Sequence, residues 1–353
     1  MITLRQFSSG IESIPSATSW YLADLGEARG KQELFTRQSP QTLKVLREHA
    51  LIESAVSSNR IEGVVIDQKR IGTIVFGRSH LRDRNEEEVR GYRDALNKIH
   101  ELGKKLPVSE KTIRDLHRLS RGGLGDAGQY KRKDSDIIEK FLDGRVRVRF
   151  KTVPAAETRA YVKETIQLWN EQLAARQVHP LILMAATNLD FLCIHPFRDG
   201  NGRVSRLLLL LQCYHLGFEV GRYVSLERVI EENKERYYET LEQSSQNWHE
   251  GKHDPWPYIN YVLFILKTAY REFEGRAGQV KSPRGAKTAL IETAVEGFSG
   301  EFSLTDLERA CPGVSRDMIR RVLRNLQKER LVACLGRGPG AMWRKEGNAL
   351  KRG

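Results

Sequence analysis

Cysteine is scarce in this chain of 353 residues, which holds only Cys193, Cys213, Cys311 and Cys334. The four lie far apart with no metal-ligand spacing, which argues against a disulfide-stapled scaffold or a cysteine-metal centre. Cys193 and Cys213 sit in apolar helical context and read as buried free thiols in a reducing compartment. Long apolar runs are missing too, since none reaches membrane-spanning length. The opening residues, Met1-Ile2-Thr3-Leu4-Arg5-Gln6, lack the apolar core of a signal peptide. The expectation is a cytoplasmic, soluble protein with no membrane partner. No internal repeat is apparent. Acid is outnumbered by base: 45 Asp and Glu face 58 Lys and Arg, a net charge of +13. That balance suits an acidic or phosphorylated partner without naming one. The length allows two or three domains and an ample core.

What is present concentrates between His195 and Arg206: His195-Pro196-Phe197-Arg198-Asp199-Gly200-Asn201-Gly202-Arg203-Val204-Ser205-Arg206. Apolar runs, Leu181 to Ile194 and Val204 to Leu216, flank it and read as buried helices. So polar a turn between two core helices is poor scaffolding but a good phosphate site. Gly200 and Gly202 let backbone N–H groups approach an anion closely. Asn201 or Gly202 opens the second helix, so the anion would lie at a positive helix end. Arg203 and Arg206, three residues apart, occupy neighbouring turns of one face. His195 offers a base near neutral pH, and Asp199 a ligand for a hard cation.

Elsewhere the chain reads as mostly helical. Residues 1–40 are weakly patterned. Ser39-Pro40 opens a helix that runs to Ile61, where Gly63 suits a left-handed stop. Its last turn carries Glu62 against the negative helix end, so a cationic partner is expected. Ser58 lies one turn back on the same face. Helices follow from Asn85, from Ser109 to Leu119 and from Ala155 to Ala175. Between them, Asp143-Gly144 separates two strand-like runs, a hairpin signal. Its second run places Arg145, Arg147 and Arg149 on one face. After the central stretch come a helix with Tyr237 and Tyr238 and another over Trp256–Phe273.

The stretch from His195 to Arg206 resembles the Fic family signature, H-x-F-x-[D/E]-G-N-G-R-x-x-R. His195, Phe197, Asp199, Gly200, Asn201, Gly202, Arg203 and Arg206 match every fixed position, and the flanks resemble a Fic core over roughly residues 30–270. The resemblance implies a mainly α fold, a helical core with a β-hairpin flap. It implies transfer of AMP from ATP to a Ser, Thr or Tyr hydroxyl of a target protein or of the chain itself, with release of pyrophosphate. His195 would be the general base and Asp199 would hold Mg²⁺. Gly200, Asn201, Gly202, Arg203 and Arg206 would bind the polyphosphate, and Tyr238 would border the nucleoside. Ser58, Glu62 and Gly63 match the family's inhibitory motif, [S/T]-x-x-x-E-[G/N], which implies that Glu62 pairs with Arg206 and blocks the ATP γ-phosphate. The flap would pair with an extended segment of the target, its arginine face favouring acidic ones. Relatives on this scaffold transfer UMP, phosphocholine or phosphate; the intact Gly200-Asn201-Gly202 favours AMP.

The expected organisation is an N-terminal helical region over residues 1–100 with the inhibitory helix at about 40–63. A catalytic core over 101–273, with its flap at about 131–152, precedes a linker at 274–286 and a small domain at 287–347. That last unit reads as three helices and a hairpin, similar to a winged helix-turn-helix. Residues 274–353 hold 16 Lys and Arg against 9 Asp and Glu, so they carry +7 of the +13. DNA and protein partners both stay open for it, as does a homodimer. A transcriptional regulator with a nucleotide-sensing core is the rival reading.

Overall fold

The structure is a computed structural model. It describes residues 2–346 apart from 12, 37–39, 68–69, 77–80, 124, 141–143, 279–285, 312–313, 337 and 339. Ser39, Asp143, most of the expected linker and parts of the C-terminal hairpin tip lie outside the described residues. Helices dominate. In chain order they begin with α1 (Thr3–Gln6), α2 (Ser16–Thr36), α3 (Pro40–Ile61), α4 (Ile71–Phe76), α5 (Arg84–Leu102) and α6 (Glu110–Ser120). The hairpin β1 (Ile137–Lys140) and β2 (Val146–Phe150) precedes α7 (Ala155–Ala175), α8 (Pro180–Ile194) and α9 (Asn201–His215). Then come α10 (Leu226–Glu232), α11 (Lys234–Ser245) and α12 (Trp256–Gly278). The chain closes with α13 (Ala286–Gly297), β3 (Phe302–Ser303), α14 (Leu304–Ala310), α15 (Arg316–Lys328), β4 (Val332–Cys334) and β5 (Met342–Lys345).

The centre is α8, apolar on all sides, with every residue from Leu181 to Ile194 buried. Pro180 sits in its first turn, and the His179 ring accepts from the Leu181 N–H. Helix α9 packs against it and buries the run Leu207–Leu211, each leucine contributing roughly 1.5–3 kcal/mol of burial. One cluster of buried side chains runs from Ile2 to Phe273. The N-terminus is tied to α8 through Asp190, which accepts from the Thr3 and Leu4 N–H groups, the Thr3 hydroxyl and the Trp248 indole. The described residues before α3 are therefore more tightly held than their pattern suggests. Helix α2 lies on the surface against α12, burying Thr18 and Leu25 while Trp20 and Leu34 stay exposed. So narrow a buried edge leaves little periodicity to read.

A second cluster is built from α13, α14, α15 and strand residues, and Val45 of α3 belongs to it. Its sheet is antiparallel in the order β3-β5-β4. Ser303 caps α14 in a capping box with Asp306, and Ser315 caps α15. The expected hairpin is present as β1 paired to β2, with an irregularity at Ile137/Ile138, and Gly144 takes φ +83°. Its arginines do not form a free basic face. Arg147 and Arg149 both pair with Glu242 of α11, pinning the hairpin to that helix.

Candidate active site

Helix α8 ends at His195, whose backbone adopts the left-handed region at φ 52°, ψ 60° while its N–H still bonds to Phe191 O. A non-glycine residue there is strained and needs surrounding support. The support is visible. Asn201 Oδ1 accepts from the Phe197 N–H at 2.8 Å and Nδ2 donates to Phe197 O at 2.7 Å, so this side chain clamps the loop. Phe197 is fully buried and lies flat on His117, ring centroids 3.8 Å apart. His117 Nδ1 accepts from the Gly128 N–H, which leaves Nε2–H to donate to Asp199 O. The Lys131 N–H donates to Pro196 O at 2.9 Å.

Burial, and then Lys131, push the His195 ring down to about 4, against the Leu192 carbonyl, Glu62 and Asp199. The imidazole is thus neutral at pH 7, as a proton acceptor must be. Its buried Nδ1 has no hydrogen-bond partner among the described residues.

Gly200 takes φ +83°, and α9 starts at the next residue, so first-turn N–H groups face the loop. The Gly200 N–H itself donates to Asp199 Oδ1 at 2.6 Å. A carboxylate already lies beside Gly202: a Cβ there would stand 2.2 Å from Glu62 Oε1. Glu62 comes from the end of α3, where Gly63 turns the chain at φ +82°. It accepts from Arg206 Nη2 at 2.8 Å. Arg206 also donates through Nε to Ser58 Oγ and through Nη2 to Ser58 O, both at 2.9 Å. Ser58, Glu62 and Arg206 therefore meet as one cluster. Tyr238 is half-buried on α11, its ring 5.1 Å from that of Tyr237. Burial, then Glu62, raise its phenol.

Arg203 has a different setting. It is 1% exposed and donates to Glu88 Oε2 at 2.7 Å and Asn59 Oδ1 at 3.3 Å, with Asp199 Oδ1 at 3.5 Å. Glu88 also holds Arg121 and Arg84, and both reach on to Asp199 Oδ2, at 2.6 and 3.3 Å. Burial would raise the Asp199 carboxyl; Arg121, Arg203, the Gly200 N–H and Arg84 outweigh it and hold it below the usual carboxylate range.

Sequence reading missed Glu88, Arg121 and His117. Glu88 follows Glu86 and Glu87 near the start of α5 with nothing to set it apart, and Arg121 and His117 lie some eighty residues from the loop they support. Their one signal is chemical: a buried arginine beside a carboxylate demands further acid.

Among the described residues no group of three or more His, Cys, Asp or Glu could enclose a metal. Asp199 is half-exposed and ionised. That fits a hard cation that takes one carboxylate oxygen and the rest of its shell from phosphate and water. It does not fit a cation held by protein alone.

Residues 107–213 match the Fic/DOC family. The chain carries a Fic domain over these residues. It is similar to "Protein adenylyltransferase Fic" of Drosophila persimilis, 25% identical over 178 residues, 49% of this chain and 33% of that protein. The protein of the same name from Drosophila sechellia is 21% identical over 292 residues, 75% and 55% of the two chains. The chain thus spans between a third and just over half of these relatives. The crystal structure of a Fic family protein from Desulfovibrio desulfuricans G20 shares the fold at TM-score 0.61 and 22% identity, covering 96% of this chain and 98% of that one. The mainly helical fold with small sheets is that of Fic proteins. No helix among the described residues is long and apolar enough to cross a membrane.

Proposed function

We propose that this Fic protein transfers AMP from ATP to a hydroxyl side chain of a protein and that Glu62 holds it off by default. The observation that carries the reading is the seat of the Glu62 carboxylate. It lies against Gly202 at the N-terminus of α9 and bonds to Arg206, where the γ end of a bound polyphosphate would compete for the same donors. Beside this seat and Gly202, Arg206 Nη1 is a buried donor with no hydrogen-bond partner among the described residues. Unpaired buried donors are costly and point to an anionic ligand.

In this reading His195 takes the proton of the target hydroxyl. The hydroxyl oxygen bonds to the α-phosphorus, the bond to the β-phosphate bridging oxygen breaks, and pyrophosphate leaves. First-turn N–H groups of α9 and the Arg206 guanidinium stabilise the charge that builds. Asp199 would hold Mg²⁺, which supplies charge neutralisation and Lewis-acid polarisation when bound with ATP. Arg203, locked on Glu88, keeps Asp199 and the loop in register. Tyr238 borders the nucleoside, and β2 offers an edge for the target segment.

The experiment incubates Glu62→Gly protein with α-labelled ATP and a lysate, beside Glu62→Gly/His195→Ala. Label on protein in the first and none in the second is expected. No label in either, from folded protein that binds ATP, rejects AMP transfer. The same incubation with other α-labelled nucleotides settles nucleotide choice.

A further inference from the structure

Helix α15 turns Ile319, Val322, Leu323 and Leu326 inward. Its other face is exposed and holds Arg316, Asp317, Arg320, Arg321, Arg324, Asn325, Gln327 and Lys328. Five of these are cations and one is an acid. Two ion pairs touch the face, Arg316 with Glu308 at 3.2 Å and Arg320 with Asp317 at 3.4 Å. Both are solvent-exposed, so water and salt screen them. The face carries no large apolar side chain, whereas the core of a protein interface is depleted of charge and enriched in aromatics. Guanidinium forks and side-chain amides are instead the donors that match phosphate oxygens and the edges of guanine and adenine.

The placement agrees with the chemistry. Helices α13 and α14 make the contacts to α3. Val45 enters their cluster, and His49 meets Phe298 edge-on at 5.1 Å. Within the unit, α15 packs on α13, α14 and β4, which leaves its basic face outward. It follows α14 after a short turn and is capped by Ser315. At 13 residues it is about 20 Å long, and a helix of that size fits a duplex major groove.

We propose that the exposed face of α15 is a docking surface for duplex DNA, with α15 as the recognition helix of a helix-turn-helix. Arg316 at the helix start and Lys328 at its end anchor to phosphates. Arg320, Arg321, Arg324 and Asn325 lie between them over the base edges.

The test uses the full chain and a fluorescein-labelled random-sequence duplex of about two helical turns, with binding read by anisotropy at several salt concentrations. The wild type should bind, with affinity falling steeply as salt rises. Arg320→Glu/Arg321→Glu/Arg324→Glu should lose at least tenfold in affinity and flatten the salt dependence. A control that reverses the exposed Lys111, Lys163 and Lys252 changes net charge equally and should retain most binding. Circular dichroism melts confirm that both variants fold, and Arg320→Gln/Arg321→Gln/Arg324→Gln should weaken binding in the same direction. The proposal is overturned if the wild type does not bind the duplex at low salt. Equal loss in the α15 variant and the control also overturns it. So does a protein partner that needs these arginines while DNA binding is insensitive to them.

Discussion

Replacing Glu62 by Gln keeps the side-chain volume and removes its charge. Arg206 is 3% exposed and its partner carboxylate 31%, at 2.8 Å. A hydrogen bond involving a charged group is worth roughly 1.5–3 kcal/mol, and one between neutral groups about 0.5–1.5. With the carboxylate partly solvated the low end applies, so Glu62→Gln should cost the closed arrangement about 1 kcal/mol. Glu62→Gly removes the contact entirely, about 1.5 kcal/mol, and also vacates the space over Gly202. If Glu62 and the γ-phosphate compete for Arg206, these losses become gains in nucleotide affinity. At tenfold per 1.4 kcal/mol they amount to roughly fivefold and twelvefold. Calorimetric titration with α,β-methylene-ATP in the wild type and both variants measures them without turnover. Without nucleotide, Glu62→Gly should be less stable than the wild type, since Arg206 stays buried with Ser58 as its one remaining hydrogen-bond partner among the described residues. Nucleotide should more than restore it. Equal affinities in all three proteins would refute the competition, and with it the default-off reading.

Because the His195 ring sits at about 4, kcat/KM of the Glu62→Gly enzyme should stay level from pH 8 to about pH 5. It should fall only as the base is protonated near 4, so an acid limb at 6.5 would contradict the burial argument. His49 is buried against Phe298, and burial, then Arg276 and Lys345, push it down to about 3. The unfolded chain protonates this ring near 6.5 and the folded chain does not. The stability it contributes above 6.5 is therefore lost as pH falls towards 3, at about 1.4 kcal/mol per pH unit. In His49→Leu the drop in unfolding free energy from pH 7 to pH 5 should shrink by about 2 kcal/mol by urea titration. Arg121→Gln removes a cation from Asp199 Oδ2. The magnesium concentration for half-maximal labelling by the Glu62→Gly protein should then fall severalfold, and a rise would show that Arg121 chiefly holds Asp199 in place.

The core was legible where polarity and periodicity conflict. A dense polar turn between two apolar helices cannot be scaffolding, and α8 and α9 are where that conflict placed them. The helix expected from Ser109 begins where expected, because Ser109 bonds to a first-turn N–H, whereas the one expected from Asn85 is capped two residues earlier by Asp83. The pairing of Glu62 with Arg206 spans 144 residues. Helix-dipole reasoning asks for a cation at Glu62, and only the family motif said which. The Glu88 hub was not legible. Glu86, Glu87 and Glu88 look alike in a first turn, and only packing turns Glu86 to Arg70 and Glu88 inward to Arg203 and Arg121.

Helix α3 illustrates the deeper limit. Its apolar residues do not form one stripe. Leu43, Leu46 and Ala55 belong to the large cluster, while Val45 belongs to the C-terminal one. His49, four residues after Val45 and so on the same face, is covered by Phe298. A helix apolar on two faces must be covered on both, since an exposed Val45 would add to an apolar patch. Addition of apolar positions along such a helix blurs the period that sequence reading depends on. The blur is itself informative: α3 lies between two cores, and the C-terminal unit is as much a part of its burial as α5 and α10 are. The far end of this same helix delivers Ser58 and Glu62 to Arg206.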